Sequence, residues 1–385
     1  MNSIRINLLA STVLAGMAMA GAARADVTIG ITNSLSGPAA SIGVPYDKGL
    51  AAGMMQIPMA GGEKLVVIKL DDASDPSAAA RNAKKLIDEN KVDIILGSAG
   101  APASLAAAGV AFESKVPMII LANGAMKPGQ QDWQITIPQP TTLMLSAIVE
   151  PMKKAGVKKL AYIGFSDAWG DTVYDAITEL MKPAGIEIIT NERYARPDTS
   201  VNGQILKIVA ARPDAVMTGG SGTPGALPHL ALAERGYKGL QFSSHASTNR
   251  DFLRSSGDSV NGMMIPAGPF VVFDQLPANS PFRKTAEDFK ASWIKANGEW
   301  TNDAFAAYAY DGWLILADAV KRTAGKAKPG TPEYRTALRD AIYSTKELAG
   351  TNAVYNFKPG SPFGADDRAR VVVRIEKGGT FKLVP

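Results

Sequence analysis

Strand-like and helix-like segments alternate along most of the chain, and this alternation constrains the fold more than any other feature. Short runs rich in Val, Ile and Leu, such as 27–35 and 64–72, are followed by longer stretches with helical periodicity. Residues 75–90 carry the start signals of a helix, because Asp75 is a suitable N-cap and Pro76 a suitable first helical residue. Such alternation is typical of βαβ units, so the sequence predicts an α/β fold built on parallel sheets.

The alternating pattern is divided into two blocks, at about residues 26–140 and 143–270. A helical block follows, and the chain ends in a predicted β-hairpin that turns at Gly378 and Gly379. Two doubly wound sheets placed side by side leave a cleft at the carboxyl ends of their strands. Sheets of this kind bind ligands at that edge, so the sequence predicts a binding cleft between two lobes.

The first 25 residues have the composition of a secretory signal peptide. Arg5 precedes an apolar run, and Ala23, Arg24 and Ala25 form an A-x-A cleavage site. We therefore expect an exported mature chain of 360 residues beginning at Asp26. No later run is long and apolar enough to span a bilayer. The sequence contains no cysteine, which excludes disulfide bonds and a lipid-modified N-terminal cysteine, so we expect the protein to be free in the periplasm.

The distribution of charged residues argues against two partners, nucleic acid and a calcium ion. The formal charge is +5 and would fall to +3 with removal of the predicted signal peptide, and Lys and Arg are scattered, so no nucleic-acid partner is expected. Asp71, Asp72 and Asp75 lie close together but lack the spacing of a calcium loop. They are interpreted as a strand end followed by a helix N-cap, and neither a metal nor a cofactor is expected.

The glycine-rich run 219–225 has the spacing of a dinucleotide-binding loop. Gly220, Gly222 and Gly225 form G-x-G-x-x-G between a strand-like and a helix-like segment. A dinucleotide site also needs an acidic residue about 20 positions further on, for the ribose. After the following strand the first acidic residue is Asp251, too far along for that role, so the dinucleotide interpretation is disfavoured and small residues that approach a ligand are favoured.

The same run nearly matches the nucleophile elbow of serine hydrolases. Ser221 is in the nucleophile position, but Thr223 replaces the second glycine of G-x-S-x-G. His245 is the candidate base, whereas His229 is interpreted as partly exposed helix packing. The order Ser, Asp, His would need an Asp between residues 221 and 245, and there is none. An exported serine hydrolase is kept as an alternative.

Several segments, taken in order, resemble a known family. They are ITNSLSGPAASIGVPYDKGLAAG, DDASDPSAAARNAKKLIDENKVDIILG, ANGAMKP, SDAWGDTVYDAI, LALAERGYKG and YAYDGWLILADAV. The set resembles the periplasmic solute-binding proteins of branched-chain amino acid-type ABC transporters, from about residue 27 to the end. The resemblance implies the type I periplasmic binding protein fold, with two doubly wound lobes joined by three crossovers and a ligand cleft between them.

The resemblance also implies an assignment of lobes, partners and site residues. Lobe 1 would contain 26–140 and 274–350, and lobe 2 would contain 143–272 and 352–385. A monomer that delivers a small carboxylate ligand to a membrane permease is expected. The implied ligand-binding residues are Ile42, Ser98, Gly100, Ala101, Pro102, Gly124, Ala125, Met126, Trp169, Ser221, Gly222, Thr223, His245, Ala246 and Tyr310. Hydroxyl donors for the carboxylate would come from Ser98 or Ser104.

One departure from the family pattern bears on the ligand. Amino-acid-binding members hold the ligand ammonium with an acidic residue that falls here at Ala246 or His245, and neither is acidic. Burying an ammonium without an anionic partner costs several kcal/mol. We therefore expect an aromatic acid or aryl 2-oxo acid, with His245 donating to a keto or hydroxyl oxygen. The alternative is a branched-chain or other aliphatic amino acid, with Asp167 or another acid replacing the missing carboxylate.

Overall fold

The structure is a computed structural model that describes residues 26–384, so the predicted signal peptide lies outside the described residues. Lobe 1 is built on a six-stranded sheet. Its strands are β1 (Val27–Asn33), β2 (Met59–Ala60), β3 (Glu63–Asp71), β4 (Ile94–Gly97), β5 (Met118–Ile120) and β6 (Gln134–Thr136). They lie in the order β2-β3-β1-β4-β5-β6, and all neighbours are parallel except the short edge strand β2.

The helices of lobe 1 come from both ends of the chain. They are α1 (Ala40–Gln56), α2 (Pro76–Asp88), α3 (Ala101–Glu113), α10 (Arg283–Asn297), α11 (Ala304–Thr323) and α12 (Pro332–Tyr343). The helices α2 and α3 pack together, while α1 packs against α10 and α11. The predicted cap of α2 is present, since Asp75 accepts a hydrogen bond from the Ala78 N–H at 2.6 Å. Apolar side chains from α1 and α11 fill the core between helices and sheet.

Lobe 2 is built on a seven-stranded sheet. Its strands are β7 (Lys159–Phe165), β8 (Glu187–Tyr194), β9 (Ala215–Gly219), β10 (Leu240–Ser243), β11 (Met264–Ala267), β14 (Val371–Glu376) and β15 (Thr380–Val384). Their order is β15-β14-β11-β10-β9-β7-β8, with the strands from β11 to β8 parallel. The C-terminal hairpin β14–β15 joins antiparallel to β11.

The helices of lobe 2 precede these strands or alternate with them along the chain. They are α4 (Thr141–Ser146), α5 (Val149–Lys154), α6 (Ala168–Ala184), α7 (Asn202–Ala210), α8 (Leu227–Glu234) and α9 (Arg250–Ser256). The run from 141 to 154 forms two short helices rather than one continuous helix. Pro151 explains the break, because proline lacks the N–H that would bond to the carbonyl of Ala147 and its ring would crowd that carbonyl.

Three chain segments cross between the lobes, as the resemblance implies: β6 to α4, β11 to α10 and α12 to β14. The third segment carries the two-stranded sheet of β12 (Leu348–Ala349) and β13 (Val354–Tyr355). Gln139 joins two crossings, since its amide Nε2 donates to the carbonyl oxygen of Ala369 at 2.8 Å. Asp311 of α11 holds the third crossing by accepting hydrogen bonds from the N–H groups of Thr351 and Asn352.

Residues 26–384 contain neither a membrane-spanning helix nor a cluster of metal-ligating side chains. None of the helices there combines the length and the apolar composition needed to cross a membrane. No group of three or more His, Asp or Glu side chains in that range is arranged to hold a metal ion.

Candidate functional site

A small cavity lies between the lobes, with about 380 Å³ of space between atoms that includes its opening to solvent. Most of its walls follow strand ends, as expected for parallel sheets. The lining residues from lobe 1 are Ile42, Tyr46, Ala99, Ala101, Leu121, Ala122, Asn123, Pro138, Phe305 and Tyr308. Those from lobe 2 are Trp169, Arg196, Ser221, His245 and Ala246. A ligand held here would contact both lobes at once.

The lobe 1 wall of the cavity is largely aromatic. The rings of Tyr46 and Phe305 meet edge to face with centroids 5.4 Å apart, and Tyr308 meets Phe305 at 6.4 Å. The Tyr46 hydroxyl donates to the carbonyl oxygen of Leu121, and the Tyr308 hydroxyl donates to the side-chain oxygen of Gln139 at 2.7 Å. Burial raises the pKa of both phenols, so both remain neutral. Their hydroxyls are held by protein acceptors, and the rings are left as a rigid apolar surface.

The main charged group on the lobe 2 wall is the guanidinium of Arg196. Its Nε lies 2.6 Å from Oδ2 of Asp167, and its Nη1 donates to Oγ of Ser221 at 3.2 Å. The guanidinium also stacks over the Phe165 ring at 4.1 Å from the centroid. The side chains of Arg196 and Asp167 are only 12% and 18% exposed, so this cation is held in one position beside the cavity.

Both carboxylate oxygens of Asp167 are already engaged by protein groups. While Oδ2 pairs with Arg196, Oδ1 caps helix α6 by accepting from the N–H groups of Trp169 and Gly170 at 2.9 and 3.2 Å. The sequence pattern S-D-A-W-G allows this cap, since Asp is among the preferred N-cap residues. An ammonium placed beside this carboxylate would also lie beside the Arg196 guanidinium and would be repelled.

His245 brings an unsatisfied nitrogen to the site. Burial lowers the pKa of His245 to about 4, so the imidazole is neutral at pH 7. Its Nδ1 is buried and has no hydrogen-bond partner. The ring meets Trp169 edge to face at 5.7 Å, and the Trp169 indole N–H is held by the carbonyl oxygen of Gly220 at 3.3 Å. Leaving a buried polar group unpaired costs about 1–3 kcal/mol, so a polar ligand group or a water is the expected partner.

The two serine hydroxyls expected to bind a carboxylate are already engaged. Ser98 Oγ donates to Asp72 at 2.6 Å, and Ser104 Oγ donates to the Ser98 carbonyl at 2.9 Å. The remaining lobe 1 donors are backbone groups, because helix α3 begins at Ala101 without a side-chain cap. The first N–H groups of a helix and its positive dipole end favour a carboxylate, although Pro102 removes one of them.

The structure brings six of the expected site residues to the cavity, all within 26–384: Ile42, Ala101, Trp169, Ser221, His245 and Ala246. Nine others do not line it: Ser98, Gly100, Pro102, Gly124, Ala125, Met126, Gly222, Thr223 and Tyr310. The Tyr310 hydroxyl donates to Gln56 inside lobe 1, and its ring packs on Phe289 with centroids 4.6 Å apart. Tyr308, two positions earlier, is the residue of this helix turn that faces the cavity.

Arg196 was not among the residues expected from the sequence. It lies two positions beyond the end of β8, a strand that the sequence analysis did not identify. A lone arginine in a loop carries no motif, so the only available signal was its place after a strand of the parallel sheet. His229 is likewise different from expectation: it is fully buried, and its interpretation as partly exposed packing is wrong.

Ser221 and His245 do not form a hydrolytic pair here. The bond of Ser221 Oγ is with Arg196, a cation that cannot accept a proton from it. The unpartnered Nδ1 of His245 shows that no carboxylate orients the imidazole, as an activated serine would require. The arrangement of these side chains is that of a binding site.

Comparisons with known proteins agree with this geometry. The family model described as periplasmic binding protein matches residues 26–379. An extracellular ligand-binding receptor from Rhodopseudomonas palustris is 36% identical, covers 94% of this chain and 100% of its own, and superimposes with a TM-score of 0.90. The "Leu/Ile/Val-binding protein homolog 7" of Brucella melitensis is 25% identical over 367 residues, which are 91% of this chain and 90% of that protein.

A more distant structure shows the fold alone. It is an ABC transporter solute-binding protein from R. palustris in complex with benzoate, 21% identical, covering 93% of this chain and 95% of its own with a TM-score of 0.76. Solute-binding receptors of this family are not enzymes. Together, the two-lobed fold, the cleft at the strand ends and the family match show that this chain belongs to the periplasmic binding protein family.

Proposed function

We propose that this protein is a periplasmic receptor that captures an aromatic carboxylate or aryl 2-oxo acid and delivers it to the permease of an ABC importer. One observation carries the ligand class: among the residues lining the cavity, all within 26–384, Arg196 is the only charged side chain, and it is cationic. The remaining walls are aromatic, aliphatic or neutral polar. Such a cavity favours an anion with a flat apolar body.

The same cavity disfavours an α-amino acid. The ligand ammonium would need an anionic partner, and the nearby carboxylate of Asp167 already pairs with Arg196 and caps α6. A ligand oxygen, in contrast, can accept from the guanidinium or from a neutral His245. A 2-oxo acid replaces the repelled ammonium with such an oxygen, which is why aryl 2-oxo acids are included in the proposed class.

The aromatic ring of the ligand would pack against the rings that line the cavity, which are those of Tyr46, Trp169, Phe305 and Tyr308. Edge-to-face and offset contacts between aromatic rings contribute about 0.5–1.5 kcal/mol beyond the burial of their area. The structural neighbour crystallised with benzoate has the same fold, so the fold accommodates an aryl acid in at least one protein. Relatives named for Leu, Ile and Val binding leave an aliphatic amino acid as the competing ligand class.

The test is thermal unfolding of the mature protein with a ligand panel, after refolding to remove any carried-over ligand. Phenylpyruvate and phenylalanine form the matched pair, because they share ring and carboxylate and differ in the oxo or ammonium group. Benzoate, leucine and valine complete the panel. A ligand at about 100 times its Kd stabilises the folded state by roughly 2.7 kcal/mol. We expect a shift with the aryl acids and none with phenylalanine; a shift with leucine or valine alone would refute the proposed ligand class.

A further inference from the structure

Polar contacts at one edge of the cavity join the lobes directly. The Thr223 N–H of lobe 2 donates to Ser41 Oγ of lobe 1 at 3.1 Å. The Asn249 side-chain amide of lobe 2 donates both to the Ser41 carbonyl oxygen at 3.0 Å and to Asp303 Oδ2 at 2.9 Å. The backbone N–H of Arg250 donates to the same Asp303 oxygen at 3.0 Å. None of these residues lines the cavity.

Asn249 and Asp303 each use one side-chain atom to bond within their own lobe and the other to bond to the opposite lobe. Asn249 is the N-cap of α9, and its Oδ1 accepts from the Phe252 N–H at 3.0 Å. Asp303 is the N-cap of α11, and its Oδ1 accepts from the Phe305 N–H at 2.9 Å. The second atoms, Asn249 Nδ2 and Asp303 Oδ2, meet across the cleft.

This division means that the lobes can separate without uncapping either helix. On opening, the two Oδ1 atoms would keep their helix N–H partners, while Nδ2 and Oδ2 would be hydrated. Both side chains are buried in the closed arrangement, so the bond between them forms only when the cleft is shut. The contact is therefore suited to stabilise one conformation over another rather than to stabilise either lobe.

We propose that Asn249, Asp303 and Ser41 form a latch that stabilises the closed arrangement of the lobes and does not touch the ligand. The helix start that Asp303 caps carries Phe305, and the next turn carries Tyr308, so the latch also fixes the lobe that presents the aromatic wall. Asn249 and Asp303 are thus positioning residues for binding. Apparent affinity scales with the fraction of protein in the competent closed state, so the latch raises affinity for every ligand by one common factor.

The test variant is Asn249→Asp, which is nearly isosteric and keeps a good N-cap. It replaces the amide donor with a carboxylate oxygen that faces Asp303 and the Ser41 carbonyl. Asn249→Ser is the second variant, since it keeps a cap without the reach across the cleft. Asn202→Asp is the matched control, because Asn202 is an exposed residue at the start of α7 in the same lobe. Thermal unfolding confirms that each variant is folded.

Two measurements decide the proposal. Small-angle scattering of the ligand-free protein is expected to give a larger radius of gyration for Asn249→Asp than for wild type and Asn202→Asp. Titration calorimetry with phenylpyruvate, benzoate and leucine is expected to show about tenfold weaker binding of each ligand that wild type binds, equivalent to about 1.4 kcal/mol. The scattering result stands even if no panel ligand binds, so it is independent of the proposed ligand class.

Two results would overturn the latch. One is a folded Asn249→Asp protein with the radius of gyration and the dissociation constants of wild type. The other is a change confined to one ligand when wild type binds two or more of them, because altered selectivity would mean that Asn249 acts through ligand contact rather than through closure.

Discussion

Replacing Arg196 with methionine should remove the anion-binding group of the cavity while keeping much of the side-chain volume. A hydrogen bond to a charged group contributes about 1.5–3 kcal/mol, so loss of the guanidinium should weaken binding of an aryl acid by about 10- to 150-fold. The cation is held by Asp167 and Ser221 and stacked on Phe165, so no neighbouring cation can take its place without rearrangement.

The same substitution should also lower stability, and this effect has to be separated from affinity. Breaking a buried ion pair typically costs 3–5 kcal/mol, but Asp167 keeps its two helix N–H partners and is partly solvated. We expect a loss of about 1–2 kcal/mol for Arg196→Met. The double variant Asp167→Asn, Arg196→Met keeps an N-cap and leaves no unpaired charge, so it should regain stability but not affinity.

Arg193→Met provides the matched control. Arg193 also belongs to the β8 region and pairs with Asp171 at 3.0 Å, but it does not line the cavity. Calorimetric titration of phenylpyruvate or benzoate into the three variants and wild type measures the effect, alongside thermal unfolding. If Arg196→Met bound the aryl acid as tightly as Arg193→Met, the assignment of Arg196 as the anion-binding group would be wrong.

Two further substitutions test the contact between the lobes at Gly222 and the buried His229 of lobe 2. A Cβ at Gly222, where φ is +58°, would lie 2.4 Å from Ser41 Oγ of the other lobe, so Gly222→Ala should weaken the binding of every ligand in titrations. Dissociation constants equal to those of wild type would contradict this close approach of the lobes. Burial lowers the pKa of His229 to about 4, below its unfolded value of about 6.5, so its contribution to stability is present above pH 6.5 and is lost as pH falls towards 4. The stability difference between wild type and His229→Gln, measured by urea unfolding, should therefore shrink by up to about 3 kcal/mol between pH 7 and pH 4.5; an unchanged difference would count against a neutral buried His229.

The architecture was predictable because it rests on periodicity and on ordered local motifs. The strands β1 and β3, the capped helix α2 and the C-terminal hairpin all lie where the sequence places them. Strand β8 was missed, since its residues Glu187–Tyr194 alternate only weakly and include several polar side chains. That omission also hid Arg196, whose role depends on lying just after the end of this strand.

The site was only partly predictable because tertiary contacts decide which atoms remain free. The sequence shows a hydroxyl at Ser98 and an acid at Asp167, but not that Asp72 and Arg196 engage them. Likewise Tyr308 and Tyr310 lie in one helical run, and only the angle at which α11 packs on α1 determines which ring faces the cavity. Such choices are set by packing between elements far apart in the chain.

Neither lobe is made from a continuous stretch of chain, and this has a kinetic consequence. Helix α1 is covered by α10 and α11, and the indole N–H of Trp313 donates to the carbonyl of Ile57, 256 positions earlier. The sheet of lobe 2 gains β14 and β15 only from residues beyond 370. Contacts of such long sequence separation slow folding, because the chain must lose the entropy of closing a long loop before the contact can stabilise it. A chain emerging from its N-terminus therefore cannot complete lobe 1 before α12 is present, nor lobe 2 before β14 and β15, so both lobes should stay unfinished until the last part of the chain is made.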